Sequence, residues 1–323
     1  MAKRVLLIGH PVSSSLAGAL LQAAFDTAGI DARYEPVDVP LLLLPETVAG
    51  LRGDDTLGAN ITVPYKERVA PMVDRLTEEA HATGAVDTIT REGARLVGHN
   101  TDVLGFRPTL DALVGRAKMP KAAVVLGAGG GARAVVYGLV TQGFQRVIVF
   151  NRHLHRGESL VKHFGKSAAH MELRAMPWHE SVIEAELAKT KILINASSVG
   201  RTGDETPIPG ELLPPELLVL DLLYTPRETR LLRDAKAAGA TNVMNGDMML
   251  LHQAAAAFGL WTGRTIAPES LREHLEAARD GNPAARDDST AARDGNAAAP
   301  DAATPEVQSE AEPQPAGAGT SEG

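Results

Sequence analysis

The stretch Ala122-Ala-Val-Val-Leu-Gly127-Ala-Gly-Gly-Gly131-Ala-Arg-Ala-Val-Val136 decides how this chain is read. An apolar run leads into a cluster of glycines, and the glycines lead into apolar residues at helical spacing that continues to Leu139. That is how a strand, a tight turn and the start of a helix are written. Gly127 permits the turn, and Gly129 leaves room for backbone to approach a pyrophosphate. The helix that follows turns its free N–H groups and the positive end of its dipole toward that anion. Ala128 and Gly130 complete the loop. The pattern is G-x-G-G-G-A rather than the stricter G-x-G-x-x-G, so a purely structural turn stays open at this point.

The flanking sequence favours a nucleotide. Val147-Ile-Val-Phe150 reads as the next strand, which closes a βαβ unit of about 30 residues. A protein that binds NAD carries Asp or Glu at the end of that strand for the ribose 2′-hydroxyl. Here the residues are Asn151 and Arg152, with Arg156 four positions further on. A carboxylate would repel a 2′-phosphate, whereas a guanidinium grips one through paired hydrogen bonds. The cofactor read from these residues is NADP; a pair of solvated arginines is the alternative.

Farther out, strands are expected at 3–9, 32–38, 57–63, 147–150, 191–195 and 218–222. Helices are expected over 15–29, about 40–51, most of 66–82, 247–260 and 268–277, and the segment 101–114 would carry the chain into the nucleotide-binding half. Val86–Thr90 and Arg95–Gly98 flank Arg91-Glu-Gly-Ala94 as a hairpin. Alternating strands and helices predict an α/β protein with a mostly parallel sheet in each half. Its site would lie in a cleft at the carboxyl ends of the strands.

The 323 residues have room for two domains and an extra segment. From Ala277 to Gly323 the chain is rich in Ala, Pro, Gly and Asp and repeats Ala-Ala-Arg-Asp-Gly-Asn. Its three arginines and nine carboxylates account for six of the eight net negative charges. Such a segment cannot bury enough surface to offset its ordering entropy, so a disordered acidic tail is expected over 277–323, without chemistry. The absence of cysteine excludes disulfides, thiolate metal sites and a cysteine nucleophile. Histidine pairs such as His153/His155 and His163/His170 lack a third ligand at metal-site spacing, so no metal is expected. No basic face argues for nucleic acid, and no apolar run approaches the ~20 residues that span a bilayer. A cytoplasmic protein with no membrane partner is expected.

Two stretches in the N-terminal half hold site material. In Asn60-Ile-Thr-Val-Pro-Tyr-Lys66 a strand ends at a proline turn, and alternation puts Asn60 and Thr62 on one face leading toward Lys66. In Gly98-His-Asn-Thr-Asp102 polar side chains again follow a strand directly. Lys66 and Asp102 at two strand ends could form a dyad, with the carboxylate orienting an ammonium that exchanges a proton with a substrate oxygen. A solvated lysine and a helix-capping Asn-Thr-Asp are the plainer readings.

With these residues in view, the chain resembles the shikimate dehydrogenase family from Val5 to about Gly263. The resemblance rests on motifs in the family's order. In the first half they are Gly9-His-Pro-Val-Ser-Ser-Ser-Leu, Asn60-Ile-Thr-Val-Pro-Tyr-Lys, Gly84-Ala-Val-Asp-Thr and Asn100-Thr-Asp-Val-Leu-Gly. After the glycine loop come Asn151-Arg, Asn195-Ala-Ser-Ser-Val-Gly, Asp221-Leu-Leu-Tyr-Thr-Pro and Gly246-Asp-Met-Met-Leu-Leu-His-Gln253.

The resemblance implies reversible hydride transfer between NADPH and 3-dehydroshikimate, giving shikimate on the route to chorismate and the aromatic amino acids. Lys66 and Asp102 would handle the proton. Ser15 would meet the substrate carboxylate, and Asn60, Thr62, Asp87, Tyr224 and Gln253 the rest of that small molecule. Gly127, Ala128, Gly129, Gly130 and Gly131 would hold the pyrophosphate. Asn151, Arg152 and Arg156 would take the adenosine phosphate end, with Leu222, Gly246 and Met249 on the nicotinamide side. The implied organisation is an α/β substrate domain over 1–104, completed by helices within 243–276, and a Rossmann-like NADP-binding domain over 105–242. A monomer or homodimer is expected.

The family pattern is broken at several places. Its first motif usually reads Ser-x-Ser-Pro, but here Ala17 stands where the second hydroxyl would be. A hydrogen bond to a charged group is worth about 1.5–3 kcal/mol, so affinity would fall unless Ser13 or Ser14 replaces it. Asp87 stands where the family has Asn, and a carboxylate suits a cationic group better than an amide does. Asp247 replaces a large apolar residue with no evident reason. Alternatives are therefore a paralogue acting on quinate or an aminoshikimate, or a non-catalytic NADP-binding sensor.

Overall fold

These runs fold into two six-stranded sheets in a computed structural model that describes residues 2–12, 15–202 and 204–281. The first sheet contains β1 (Lys3–Gly9), β2 (Ala32–Asp38), β3 (Thr56–Ile61), β4 (Arg75–Leu76), β5 (Thr88–Glu92) and β6 (Arg95–His99), in the order β2-β1-β3-β5-β6-β4. The second contains β7 (Ala122–Leu126), β8 (Arg146–Phe150), β9 (Glu172–Met176), β10 (Ile192–Asn195), β11 (Leu218–Asp221) and β12 (Asn242–Met244). Its order is β12-β11-β10-β7-β8-β9, with every neighbouring pair parallel. Helices α1 (Ala17–Thr27), α2 (Leu44–Gly50), α3 (Lys66–Val69) and α4 (Glu78–Thr83) belong to the first half, and α5 (Thr101–Val114) leads out of it. Then follow α6 (Gly130–Thr141), α7 (Leu154–Phe164), α8 (Glu180–Leu187), α9 (Arg230–Ala237), α10 (Asp247–Thr262) and α11 (Arg272–Gly281).

Alternate residues of a strand face opposite ways. In the second sheet Val125, Val147 and Val149 pack with α5, α6 and α7, while Val124, Leu126 and Ile148 pack with α8 and α9. A parallel strand covered on both faces has no polar side, which is why these strands read as unbroken apolar runs. In the first sheet Val5 and Leu7 pack with α1, α10 and α11, and Leu6 and Ile8 with α2 and α3. The end of the chain thus returns to the first sheet. Phe25 meets Phe258 at 5.6 Å between ring centroids, and Trp261 Nε1 donates to Ile89 O at 3.0 Å.

From β7 the chain builds outward to β8 and β9, then returns to β7's other side for β10, β11 and β12. Loops leaving β7 and β10 therefore part in opposite directions and open a crevice at their carboxyl ends.

The first sheet is mostly parallel, as expected, with antiparallel pairing only where β5 meets β3 and, in the expected hairpin, β6; a hairpin has too little chain for a parallel crossover. Other expectations are corrected. The helical stretch expected over 66–82 is not continuous: it divides into α3, a tight turn over Ala70–Met72, β4 and α4. Pro71, which has no N–H to give, ends the helical run. The helix expected from about 40 begins as a tight turn at Leu41–Leu43, with α2 starting only at Leu44. Strands β9 and β12 escaped sequence reading because edge strands stay partly exposed and lack a continuous apolar run. Finally, α11 continues to Gly281, so residues 277–281 are helical rather than the start of a disordered tail; residues 282–323 lie outside the described residues.

Candidate active site

Strand β3 carries Asn60 to the carboxyl edge of its sheet, and the chain turns through Val63-Pro64 to set Lys66 at the start of α3. After β6, Asn100 caps α5 by accepting from Val103 N at 3.2 Å. Asp102 then falls in the first turn of α5, where the helix dipole favours a carboxylate. Lys66 Nζ donates to Asp102 Oδ2, and the two side chains are 16% and 4% exposed. Burial alone would lower the Lys66 pKa, but the charges of Asp102 and Asp87 outweigh it and hold the ammonium above its ordinary value. Burial pushes the Asp102 carboxyl up, against the pull of Lys66, and Asp87 pushes it further. A protonated lysine held by a carboxylate is chemically able to give a proton to an oxygen placed beside it.

Asp87 is almost completely buried. Its Oδ1 accepts from Thr101 N, Thr101 Oγ1 and Thr88 Oγ1, each at 2.8 Å, and its Oδ2 accepts from Asp102 N at 2.7 Å. It thereby satisfies two N–H groups that α5 cannot satisfy itself. All four partners are donors, so an acceptor-only side chain fits the place. Asp87 needs no cationic substrate to explain it.

Ser15, Asn60, Thr62, Asp87, Tyr224 and Gln253 all line one recess together with Lys66. Asn60 is fixed in orientation: its Oδ1 accepts from Tyr34 Oη at 2.8 Å, and its Nδ2 donates to Thr88 Oγ1 at 2.9 Å and Asp87 O at 3.1 Å. Ser15 Oγ accepts from Ala17 N at 3.3 Å, which leaves its O–H able to donate elsewhere. Ala17 lines the same recess, so the second hydroxyl is missing at the site itself. Ser13 and Ser14, the candidate replacements, lie outside the described residues.

A larger cavity of about 730 Å³ opens at the carboxyl ends of β7, β8, β10 and β11. The loop 127–131 lines it, as do Asn151, Arg152 and Arg156, and so do Leu222, Gly246 and Met249. Gly127 adopts φ +105°, a backbone that favours glycine. Gly129 caps α6 without a side-chain partner, and nothing lies within 4 Å of where its Cβ would be. Gly130 is small for another reason: a Cβ there would come within 2.7 Å of Lys66 Cβ, so the loop presses on the lysine stem. Arg152 makes no hydrogen bond or ion pair with any described residue. Arg156 lies 3.7 Å from Glu67. Open space at Gly129, unpaired helix N–H groups and a free guanidinium fit a phosphorylated dinucleotide. Thr62, Lys66, Tyr224, Leu250 and Gln253 line both hollows, so the recess and the cavity meet at the lysine.

Sequence reading missed the groups that hold this wall in place. Asp221 ends β11 fully buried, and burial pushes its pKa up to about 6, opposed by donors from Thr229 Oγ1, Leu223 N and Asn195 Nδ2. It anchors the loop that carries Leu222 and Tyr224. Glu67, Ser197, Ser198 and Arg201 also line the cavity. The Asn195 and Asp221 motifs were visible as strings; their partnership was not.

Three family models match the chain: a shikimate dehydrogenase substrate-binding domain over residues 7–89, shikimate/quinate 5-dehydrogenase over 113–206, and a shikimate 5′-dehydrogenase C-terminal domain over 249–276. The shikimate dehydrogenase (NADP(+)) of Salinibacter ruber is 39% identical over 278 residues, covering 84% of this chain and 96% of that protein. The chain belongs to the shikimate dehydrogenase family. Among solved structures, shikimate 5-dehydrogenase from Thermus thermophilus, in complex with NADP(H) and shikimate, is 38% identical with a TM-score of 0.73. That match covers 85% of this chain and 99% of that one. Quinate dehydrogenase from Corynebacterium glutamicum, in complex with NAD, is 30% identical with a TM-score of 0.74 over 85% of this chain and 99% of that one.

Within the shikimate dehydrogenase family, the departures of this chain now have places. Ala17 and Asp87 border the recess, and Asp87 is spoken for by α5. Asp247, unexplained in the sequence, forms a buried ion pair with Arg279 of α11. That arginine belongs to the helical residues 277–281 at the end of α11.

Proposed function

We propose that this chain is an NADP-dependent shikimate dehydrogenase that interconverts 3-dehydroshikimate and shikimate. The observation that carries the reading is the Lys66–Asp102 ion pair at the one place where the recess and the cofactor cavity meet. When bound, the nicotinamide supplies or takes the hydride. Lys66 donates a proton to the ring oxygen during reduction and takes it back during oxidation, while Asp102 holds the ammonium in place. Ser15 donates to the substrate carboxylate; Asn60, Thr62, Tyr224 and Gln253 orient the ring, and Asp87 keeps α5 and Asp102 where the dyad needs them. The 127–131 loop holds the pyrophosphate, Asn151, Arg152 and Arg156 the 2′-phosphate end, and Leu222, Gly246 and Met249 the nicotinamide side. The substrate domain comprises 1–104 with the C-terminal helices, and the NADP domain 105–242. Each chain carries a full set of these groups, in keeping with a monomer or homodimer in the cytoplasm. Among the described residues no helix is long and apolar enough to cross a membrane.

The test is initial-rate oxidation of shikimate with NADP, then with NAD. Turnover with a preference for NADP is expected; binding of NADP with no turnover of shikimate would overturn the substrate assignment. Arg152→Ala with Arg156→Ala removes two guanidiniums from the 2′-phosphate, each worth about 1.5–3 kcal/mol. The KM for NADP is expected to rise about 10²-fold or more while that for NAD barely moves, and equal changes in both would show that neither arginine reads the phosphate.

Oxidation also needs Lys66 neutral before it can accept a proton. Because its pKa is raised, kcat/KM for shikimate oxidation climbs as pH rises above neutrality, and reduction keeps its proton donor across that range. Asp87→Asn removes one of the two carboxylates that raise it, so the rising limb moves to lower pH. A limb that stays put would take Asp87 out of the electrostatics of the dyad.

A further inference from the structure

Tyr224, Gly246, Leu250 and Gln253 lie on two separate pieces of chain, the loop after β11 and the start of α10. Something must hold these pieces in register, because all four line the cavity and Tyr224, Leu250 and Gln253 line the recess as well. Asp221 anchors only the root of the loop. At its far side stands Arg279. One nitrogen of this guanidinium, Nη2, donates to Tyr224 O at 3.0 Å and also to Asp247 Oδ1. Arg279 and Asp247 are 5% and 7% exposed.

The contacts continue into a closed ring. Asp247 N donates to Asn245 Oδ1 at 3.2 Å, and Asn245 Nδ2 donates to Arg227 O at 3.0 Å. Arg227 Nη1 donates to Glu276 Oε2 at 3.2 Å, and Arg279 Nη1 donates to the same oxygen at 3.3 Å. The ring encloses the segment from Tyr224 to Arg227 and ties it to the first turn of α10 through the last helix.

Adhesion alone would be served better by an apolar pair. Taking two charges out of water costs more than a hydrophobic contact of the same volume, and Arg279 Nε has no hydrogen-bond partner in its buried place. What an apolar pair cannot do is hold a backbone carbonyl and a helix terminus at a set distance and direction. We infer that Arg279 and Asp247 are positioning residues, which fix Tyr224 against the start of α10 and so set the shape of the substrate recess. This rests on the shikimate dehydrogenase reading for its kinetic consequence, though not for its structural one.

The test uses the full-length chain and three variants: Arg279→Met, the double variant Asp247→Leu with Arg279→Met, and Arg279→Lys. Arg279→Met leaves Asp247 buried and unpaired, so its Tm falls. The double variant removes both charges and regains most of that Tm. In both, the KM for shikimate rises about tenfold, the loss of a hydrogen bond from a charged donor, while the KM for NADP changes less than about threefold. Arg279→Lys keeps a charge for Asp247, but its single, shorter-reaching nitrogen cannot replace Nη2 on Tyr224 O and Asp247 Oδ1 together with Nη1 on Glu276 Oε2; it keeps its Tm and still raises the KM for shikimate.

Amide hydrogen exchange supplies a readout independent of substrate. Gly246 N donates to Leu223 O at 2.9 Å, and its exchange is expected to quicken in the double variant and in Arg279→Lys even where Tm is normal. If Tm, KM and exchange all return together in the double variant, or if Arg279→Lys leaves KM and exchange unchanged, the pair is structural only and the inference is overturned. If wild type ignores shikimate yet exchange at Gly246 quickens in the variants, the substrate reading fails and the positioning role stands.

Discussion

Lys66→Ala is expected to lower kcat for shikimate oxidation by about 10²-fold or more, with the KM for NADP nearly unchanged. A positioned acid or base contributes about 10²- to 10⁴-fold, and Lys66 is the one cation among the side chains that line both hollows. The loss should appear in kcat and kcat/KM together, because the proton moves only in the transition state. Removing the ammonium leaves Asp102 and Asp87 without a counter-charge. Burial already pushes the Asp102 carboxyl up, and without Lys66 the charge that opposes this shift is gone, so the carboxyl takes a proton more readily in the variant and the cost to stability is limited. Lys66→Arg is not expected to rescue it, since a guanidinium does not release its proton in a protein. Steady-state kinetics with a separate measurement of NADP binding decides the matter. If Lys66→Ala stays within tenfold of wild type in kcat, the proton passes elsewhere and the dyad assignment fails.

Gly246→Ala is expected to cost as much in kcat/KM through geometry alone. The backbone of Gly246 is at φ −75°, which any residue adopts, so strain in the backbone is not the reason. The obstacle is Leu222: a Cβ at 246 would stand 2.1 Å from its carbonyl oxygen and 2.7 Å from its carbonyl carbon. Neither atom can swing aside, because both belong to backbone that is also tied by Gly246 N to Leu223 O. Ordinary contact needs a separation of about 3.5 Å, so α10 and the loop after β11 must part by about 1 Å. These two pieces carry Met249 and Gln253 on one side and Leu222 and Tyr224 on the other. A displacement of about 1 Å near reacting groups costs about 10²-fold, and overpacking costs about 1–3 kcal/mol of stability. Denaturant unfolding and kinetics on one preparation separate the two. A variant with lowered stability but normal kcat/KM would show that the wall need not be so close.

The two effects differ in how far sequence alone could foresee them. Lys66 and Asp102 could be named from their strand-end settings, and the glycine loop with Arg152 from one βαβ unit. Gly246 was visible only as part of a motif, and its packing against Leu222 joins residues from different elements. Asp87 could be read from sequence only as a charge out of place. With α5 present it becomes a cap, since all four donors that surround it come from Thr88, Thr101 and Asp102. The break in the helix expected over 66–82 has a similar root. Its polar and apolar residues suit a helix locally, but Arg75–Leu76 finds a partner in β6.

By itself, the sequence determined whatever depends on near neighbours: alternating apolar runs that must be buried on both faces, a glycine turn ahead of a helix, and arginines where an NAD protein would carry an acid. Only the tertiary structure decided the pairings across long stretches of chain. Lys66 meets Asp102 across 36 positions, and Arg279 meets Asp247 across 32. The physical reason is that a buried charge takes its meaning from the donors and charges around it. Those neighbours are set by strand order and by which helix returns to which sheet, not by the residues on either side in the chain.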